Sequence, residues 1–289
     1  MSERVEGSRL SLIDTVGQRA GSGALPRRAV FIWAAVILFL NQLFGMIKAT
    51  PGVSLETLLN VGIFQYLAWY VIFYLLCSSD ATPAARPRDF VVTATLCLAV
   101  FARTNSMVWA AATGIAIYLW FFSAGDRKLR AAGVVLAALS MQELWGHLFF
   151  DFMAIHLLRA ETAVVGTLLE TARPGTVWQD NIITGPNGYG VVILGPCSSF
   201  HNLSLAMLCW VTITSWRHQD WQPRDFAIGA VVGGTMILFN IARICLMAWD
   251  IDLYHYWHDG PGAEIYAIGA SLTVFLMSLY GSKWSRPAI

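Results

Sequence analysis

Apolar runs close to the roughly 18–20 residues that a helix needs to cross a bilayer recur along this chain from residue 29 almost to its end. Hydrophobic residues make up 56% of the sequence and charged residues 13%, about half the charged share of a soluble domain. A water-soluble globule is therefore excluded, and the net charge of +1 says little about partners. Eight spans are expected, at 29–47, 57–77, 90–102, 107–123, 131–158, 197–216, 226–249 and 262–280. The third is too short for an untilted crossing, and Arg103-Thr104-Asn105 closes it, so it pairs with the fourth as a tight hairpin or a tilted pair. The expected fold is an all-α polytopic membrane protein of about eight transmembrane helices with a small extracytoplasmic loop subdomain.

Basic residues set the orientation. With eight crossings, Arg4, Arg9, Arg19, Arg27, Arg28, Arg86, Arg88, Arg127, Lys128, Arg130, Arg217, Arg224, Lys283 and Arg286 fall on one side. Lys48, Arg103, Arg159 and Arg173 fall on the other, and Arg243 lies inside a span near that side. The bias places both termini in the cytoplasm of a cell whose inner membrane holds the protein. Residues 1–28 are polar and lack an apolar core followed by a small-residue cleavage site, which predicts a cytoplasmic tail ahead of a membrane domain at 29–289.

The longest connection, 159–196, is expected outside. It opens on a helical pattern (Thr162, Val165, Leu168, Leu169) and carries turn signals at Arg173-Pro174-Gly175 and Gly185-Pro186-Asn187-Gly188. Short apolar runs at Ile182-Ile183 and Val191-Val192-Ile193-Leu194 flank the second turn, which predicts a small hairpin leading into Cys197.

Three chemistry-bearing side chains reach one depth. The span from Cys197 to Arg217 is about 30 Å long, which puts the thiol at its outer edge. Arg243 lies roughly 25 Å beyond Phe226, and His258 falls in the short outer connection before the last span. Cys197 follows Gly195-Pro196 and is expected to open a helix, where free N–H groups and a nearby cation lower a thiol's pKa. His258 can then take the thiol proton and pass it to a leaving amine. Arg243 can pair with a thiolate or stabilise an oxyanion. Asn240, on the same helix face, can orient Arg243 or add a donor. Taken singly, each has a bland reading: a membrane cysteine is usually inert, an interfacial arginine snorkels, and a histidine among Tyr254, Tyr256 and Trp257 anchors at headgroups. Cys77, Cys97, Cys209 and Cys245 are read as inert.

The approach Gly190-Val-Val-Ile-Leu-Gly-Pro-Cys197-Ser198, the Asn240-x-x-Arg243 pair and the run His258-Asp259-x-x-Gly262 resemble the exosortase/archaeosortase family of membrane proteins. The resemblance implies a cysteine protease or transpeptidase with Cys197, Arg243 and His258 as catalytic residues and Asn240, Ser198 and Asp259 in support. It implies cleavage of exported proteins whose C-terminal sorting tails combine a short motif, a transmembrane helix and a basic end. Two positions depart from the family pattern: Ser199, where glycine is common, and His201, which shares a helix face with Cys197 and competes with His258 as base.

A rival reading starts from Glu143, His147 and Asp151, spaced four residues apart on one helix face, a pattern suited to divalent metal or proton transfer in a transporter or metalloenzyme. No second cluster completes a coordination shell, so no metal or cofactor is expected. A further alternative is a non-catalytic scaffold in exopolysaccharide export. Membrane lipid is an expected partner and nucleic acid is not.

Overall fold

The computed structural model describes residues 25–49, 62–79, 84–101, 104–123 and 125–284. Of the described residues, 81% are helical. The helices are α1 (Arg27–Ala49), α2 (Ile63–Cys77), α3 (Pro87–Phe101), α4 (Asn105–Phe122) and α5 (Arg127–Ser140). A π-helical segment (Met141–Trp145) joins α5 to α6 (Gly146–Ala172). Strands β1 (Val177–Gln179), β2 (Ile182–Thr184) and β3 (Gly190–Val192) and a 3₁₀ turn (Gly195–Cys197) lead to α7 (Ser199–Arg217). Then come α8 (Pro223–Met247), α9 (Ile251–His258) and α10 (Pro261–Trp284).

Side chains with short polar reach start these helices. The carboxylate of Asp126 accepts from Leu129 N at 3.0 Å at the head of α5, and that of Asp250 accepts from Leu253 N at 2.7 Å at the head of α9. Gln222 and Asp225 form a reciprocal capping box around Pro223, which starts α8 at a position where its missing N–H costs nothing.

One end of the bundle is a basic layer. There Arg27 pairs with buried Asp89 at 2.9 Å and also donates to the carbonyl of Phe122. Arg28 donates to the carbonyl of Ser79, Lys128 to that of Ser78, and Arg127 meets Asp220 at 2.5 Å. These bonds tie together the ends of α1 to α5 and the α7–α8 connection, so successive helices alternate in direction. Five segments are long and apolar enough to cross a membrane: Arg27–Gly45, Asn105–Phe122, Arg127–Ala172, Pro223–Met247 and Pro261–Trp284. Large apolar side chains such as Phe121, Phe152, Val231, Leu238 and Ile268 stand exposed along them, a surface suited to lipid and not to water. The chain is thus a polytopic membrane protein.

Three other expected spans are shorter or more polar. In α2 the described helix covers Ile63–Cys77, and 57–61 lie outside the described residues, as do 1–24 of the expected tail and Arg103. Arg27 and Arg28, assigned to that tail, instead begin α1. Helix α7 carries Asn202, Ser204, Thr212, Thr214 and Ser215; it touches α2, α5, α8 and α10, and protein rather than lipid surrounds much of it.

The fifth span differs most from expectation. From Arg127 to Ala172 it is one unbroken 46-residue helical run, about 69 Å long, so the predicted loop begins only at Arg173. No glycine-proline signal interrupts 159–172, and buried Val165 and Leu169 give that stretch a face to pack. The strands rest on this face. The anticipated hairpin forms as β2–β3, pairing Ile182 with Val192 and Ile183 with Val191, closed by a bond from Gly185 N to the carbonyl of Tyr189 at 2.8 Å. Strand β1, unforeseen, adds to β2 through a two-residue turn in which Asp180 takes φ +55°. Trp178 lies against Gly166, where a Cβ would meet its ring at 2.4 Å. Ile183, Val191 and Ile193 complete a small core with Val165, Leu169, Ile244 and Met247, which fixes the strands onto α6 and α8.

Candidate active site

The sheet delivers the chain to Cys197 at the end of the bundle opposite the basic layer. The 3₁₀ turn is held by bonds from Cys197 N to Leu194 O and from Ser198 N to Gly195 O, both 3.0 Å. The buried hydroxyl of Ser198 donates to the same Gly195 carbonyl at 2.8 Å. Ser198 is therefore a brace of the turn.

Cys197 Sγ lies 3.9 Å from His258 Nε2. His258 is the last residue of α9, a short helix in what sequence reasoning treated as loop. Its Nδ1 is 2.6 Å from Asp259 Oδ1, and its ring stacks on Tyr254 at 4.7 Å between centroids. Carboxylate, imidazole and thiol thus form one chain, with the imidazole clamped on its face. The turn after His258 is tight because α10 starts against the Tyr256 ring; a Cβ on Gly262 would lie 2.5 Å from it.

Arg243, on α8, donates from Nε to the carbonyl of Trp257 at 3.1 Å, and its guanidinium sits 4.8 Å over the Tyr266 ring. It grips the backbone next to His258 while its charge acts on the thiol. Asn240 is fully buried and, of the two roles expected of it, adds a donor and does not orient Arg243. Its amide nitrogen donates to the Cys197 carbonyl at 2.8 Å, and its Oδ1 accepts from Asn202 Nδ2 at 2.9 Å and from Tyr266 OH at 3.3 Å.

Two expectations about the thiol need correction. Cys197 does not open the helix; α7 starts at Ser199, whose N–H donates to Glu161 Oε1 at 2.9 Å. The carboxylate of Glu161 therefore occupies the helix end that was expected to stabilise a thiolate. The thiol's pKa is raised, not lowered: burial pushes it up, Arg243 pulls it down, and Glu161 and Asp259 add to the rise. At rest the site holds a protonated thiol facing an imidazole.

Glu161 was missed by sequence reasoning because it was assigned to the outer loop. It also accepts from Ser199 Oγ at 2.5 Å and from Asn240 at 3.2 Å. Serine in place of the family's common glycine thus supplies a second bond to this carboxylate. Acidic character inside the apolar pattern Thr162-Val165-Leu169 was the available signal.

His201 is not brought to the thiol. It lies with His147, Asp151 and Gln142 around a separate cavity of about 310 Å³ on the α6 side. Glu143 turns elsewhere, since the π-helical segment breaks the four-residue spacing; it accepts from Gln42 Nε2 at 2.9 Å and from Gln65 Nε2 at 2.5 Å. The three expected ligands of the rival metal reading therefore do not converge, and among the described residues no three His, Cys, Asp or Glu side chains form a group able to hold a metal. Arg243, Asn202, Tyr266 and Ser271 line another cavity of about 280 Å³ that runs between α7 and α10.

No curated protein and no solved structure matches the chain. A family profile does: that of the transmembrane exosortases aligns with residues 62–279, and so takes in α2 to α10 and every residue of the thiol–imidazole site. With three quarters of its length matched, the chain belongs to the transmembrane exosortase family.

Proposed function

We propose that the chain is a cysteine transpeptidase or protease that cuts C-terminal sorting tails of exported proteins at the non-cytoplasmic face of the inner membrane. The observation that carries this reading is the approach of Cys197 Sγ to His258 Nε2 with Asp259 on the far ring nitrogen. Asp259 keeps the proton on Nδ1, so that Nε2 faces the thiol as a base. As Sγ attacks the scissile carbonyl carbon, its proton passes to Nε2 and the S–C bond forms. Arg243 opposes the charge growing on the carbonyl oxygen. The imidazolium returns the proton to the departing amine as the C–N bond breaks, leaving an acyl thioester on Cys197. Water or an amine then resolves the thioester by the same steps. A separation of 3.9 Å is long for proton transfer, and such bonds commonly tighten when substrate arrives.

The raised thiol pKa supports general-base catalysis over a standing thiolate. The basic layer supports the sidedness: cytoplasmic cations at one end of eight alternating helices leave the cysteine at the other. On this reading both termini are cytoplasmic and the strands form the small external subdomain. The experiment is Cys197→Ala in cells that co-express a tailed substrate. Processing stops while the variant stays as abundant as the parent. Continued processing, in Cys197→Ala or in the triple alanine variant with Arg243 and His258, would instead favour a scaffold.

A further inference from the structure

At the basic layer, α8 and α10 line a groove of about 640 Å³, larger than either cavity near the cysteine. Ile228, Val231 and Met277 form apolar walls, and Arg224, Lys283 and Trp284 stand at one end. The groove opens away from the bundle: Val231 is 59% exposed and Trp284 is 81% exposed. Its cations differ from four others in this layer. Arg27, Arg28, Arg127 and Lys128 are held by carboxylates or carbonyls of the chain. Arg224 and Lys283 have no hydrogen bond or ion pair to any described residue, and Lys283 only lies 5.2 Å over the Tyr280 ring.

We infer that this groove binds one anionic phospholipid from the leaflet on the basic side, its phosphate between Arg224 and Lys283 and an acyl chain along Ile228, Val231 and Met277. From Arg224 to Val231 is about 10 Å along the helix, enough for the upper part of a chain. An apolar trough ending in two cations that no described residue pairs complements an amphiphile with a negative head, and pockets of this kind at the cytoplasmic side of membrane helices suit such heads. An interfacial tryptophan at the same level fits the headgroup boundary. A free anion would satisfy the cations and leave the walls unused. The site stands apart from the cysteine chemistry and does not depend on it.

The test is native mass spectrometry of the full chain in detergent, titrated with phosphatidylglycerol or with phosphatidylcholine of the same chains. A juxtamembrane cation contributes about fivefold in lipid affinity, so the parent should hold the first phosphatidylglycerol on the order of twentyfold more tightly. In the double variant Arg224→Gln with Lys283→Gln the preference falls to near unity, whereas Arg224→Lys with Lys283→Arg keeps it. Val231→Trp, which fills the exposed trough, weakens retention of both lipids. Excess glycerol 3-phosphate leaves the bound lipid in place. Equal retention by the parent, a preference that survives the double glutamine variant, or displacement by glycerol 3-phosphate would each overturn the assignment.

Discussion

The buried amide of Asn240 donates to the carbonyl of Cys197 at 2.8 Å, so α8 holds the backbone of the residue that carries the thiol. The same amide meets Ser199 Oγ and Glu161 Oε1 at 3.2 Å. One side chain therefore fixes the turn, the start of α7 and the wall of α6 relative to one another. Asn240→Leu leaves the Cys197 carbonyl and the Glu161 carboxylate short of a donor in a buried place. A loss of about 1–3 kcal/mol in stability is expected, with activity reduced tenfold or more, read from thermal unfolding and from substrate processing in the same preparation.

The proposed base is His258, whose Nε2 is 3.9 Å from Cys197 Sγ, and not His201. His258→Ala should lower processing by about 10²–10⁴, and Asp259→Asn should lower it less while leaving expression unchanged. His201→Ala should stay within a few-fold of the parent, since His201 lines the α6-side cavity with His147 and Asp151. A large loss in His201→Ala with an active His258→Ala would reverse the assignment. Rates of tail cleavage for the three variants decide it.

Alkylation reports the thiol's surroundings. Because burial holds the Cys197 pKa above its ordinary value, the thiolate fraction is small at neutral pH and grows as pH rises. The rate should climb about tenfold per unit through the alkaline range without levelling near neutrality. Arg243→Gln removes a cation that pulls the pKa down, so its rate is lower at each pH. Applied to sealed cells, an impermeant reagent labels Cys197 from outside, while exposed Cys77, at the basic end of α2, is labelled only after the membrane is opened.

Glu161 and Ser199 form a pair whose parts can be separated. Ser199→Gly restores the residue common in the family, removes the hydroxyl bond and keeps the backbone N–H on the carboxylate. A mild change is expected, below about 1 kcal/mol by thermal unfolding. Glu161→Ala strips acceptors from Ser199 N, Ser199 Oγ and Asn240 together and should cost more than twice as much, with lower activity. Equal effects of the two substitutions would show that the carboxylate does not organise the helix start.

Much of this arrangement was legible in the chain itself. Span length and depth placed Cys197, Arg243 and His258 in one layer, because helix rise converts sequence separation into distance. The turn residues at 185–188 located the hairpin, since its closing turn demands them, but not its register. Legibility failed where neighbours decide. Nothing local tells a helix to stop or continue past Leu158; the strands that pack on Val165 and Leu169 do. A π-helical segment is a tertiary adjustment, and one inserted residue turned Glu143 away from His147. The thiol's pKa was misread for a related reason. Gly195-Pro196-Cys197 looked like a helix start, but the turn ends before α7, and a carboxylate remote in sequence occupies the helix end.

The central claim is that Cys197 carries the acyl group during cleavage. Mass spectrometry of the protein isolated with a co-expressed tailed substrate, proteolysed without reductant, reads this directly. The account predicts a thioester-linked fragment of the substrate on the peptide that contains Cys197, lost on treatment with hydroxylamine and missing from Cys197→Ala. Processed substrate with Cys197 unmodified, or an adduct on Cys77, Cys97, Cys209 or Cys245, would contradict it.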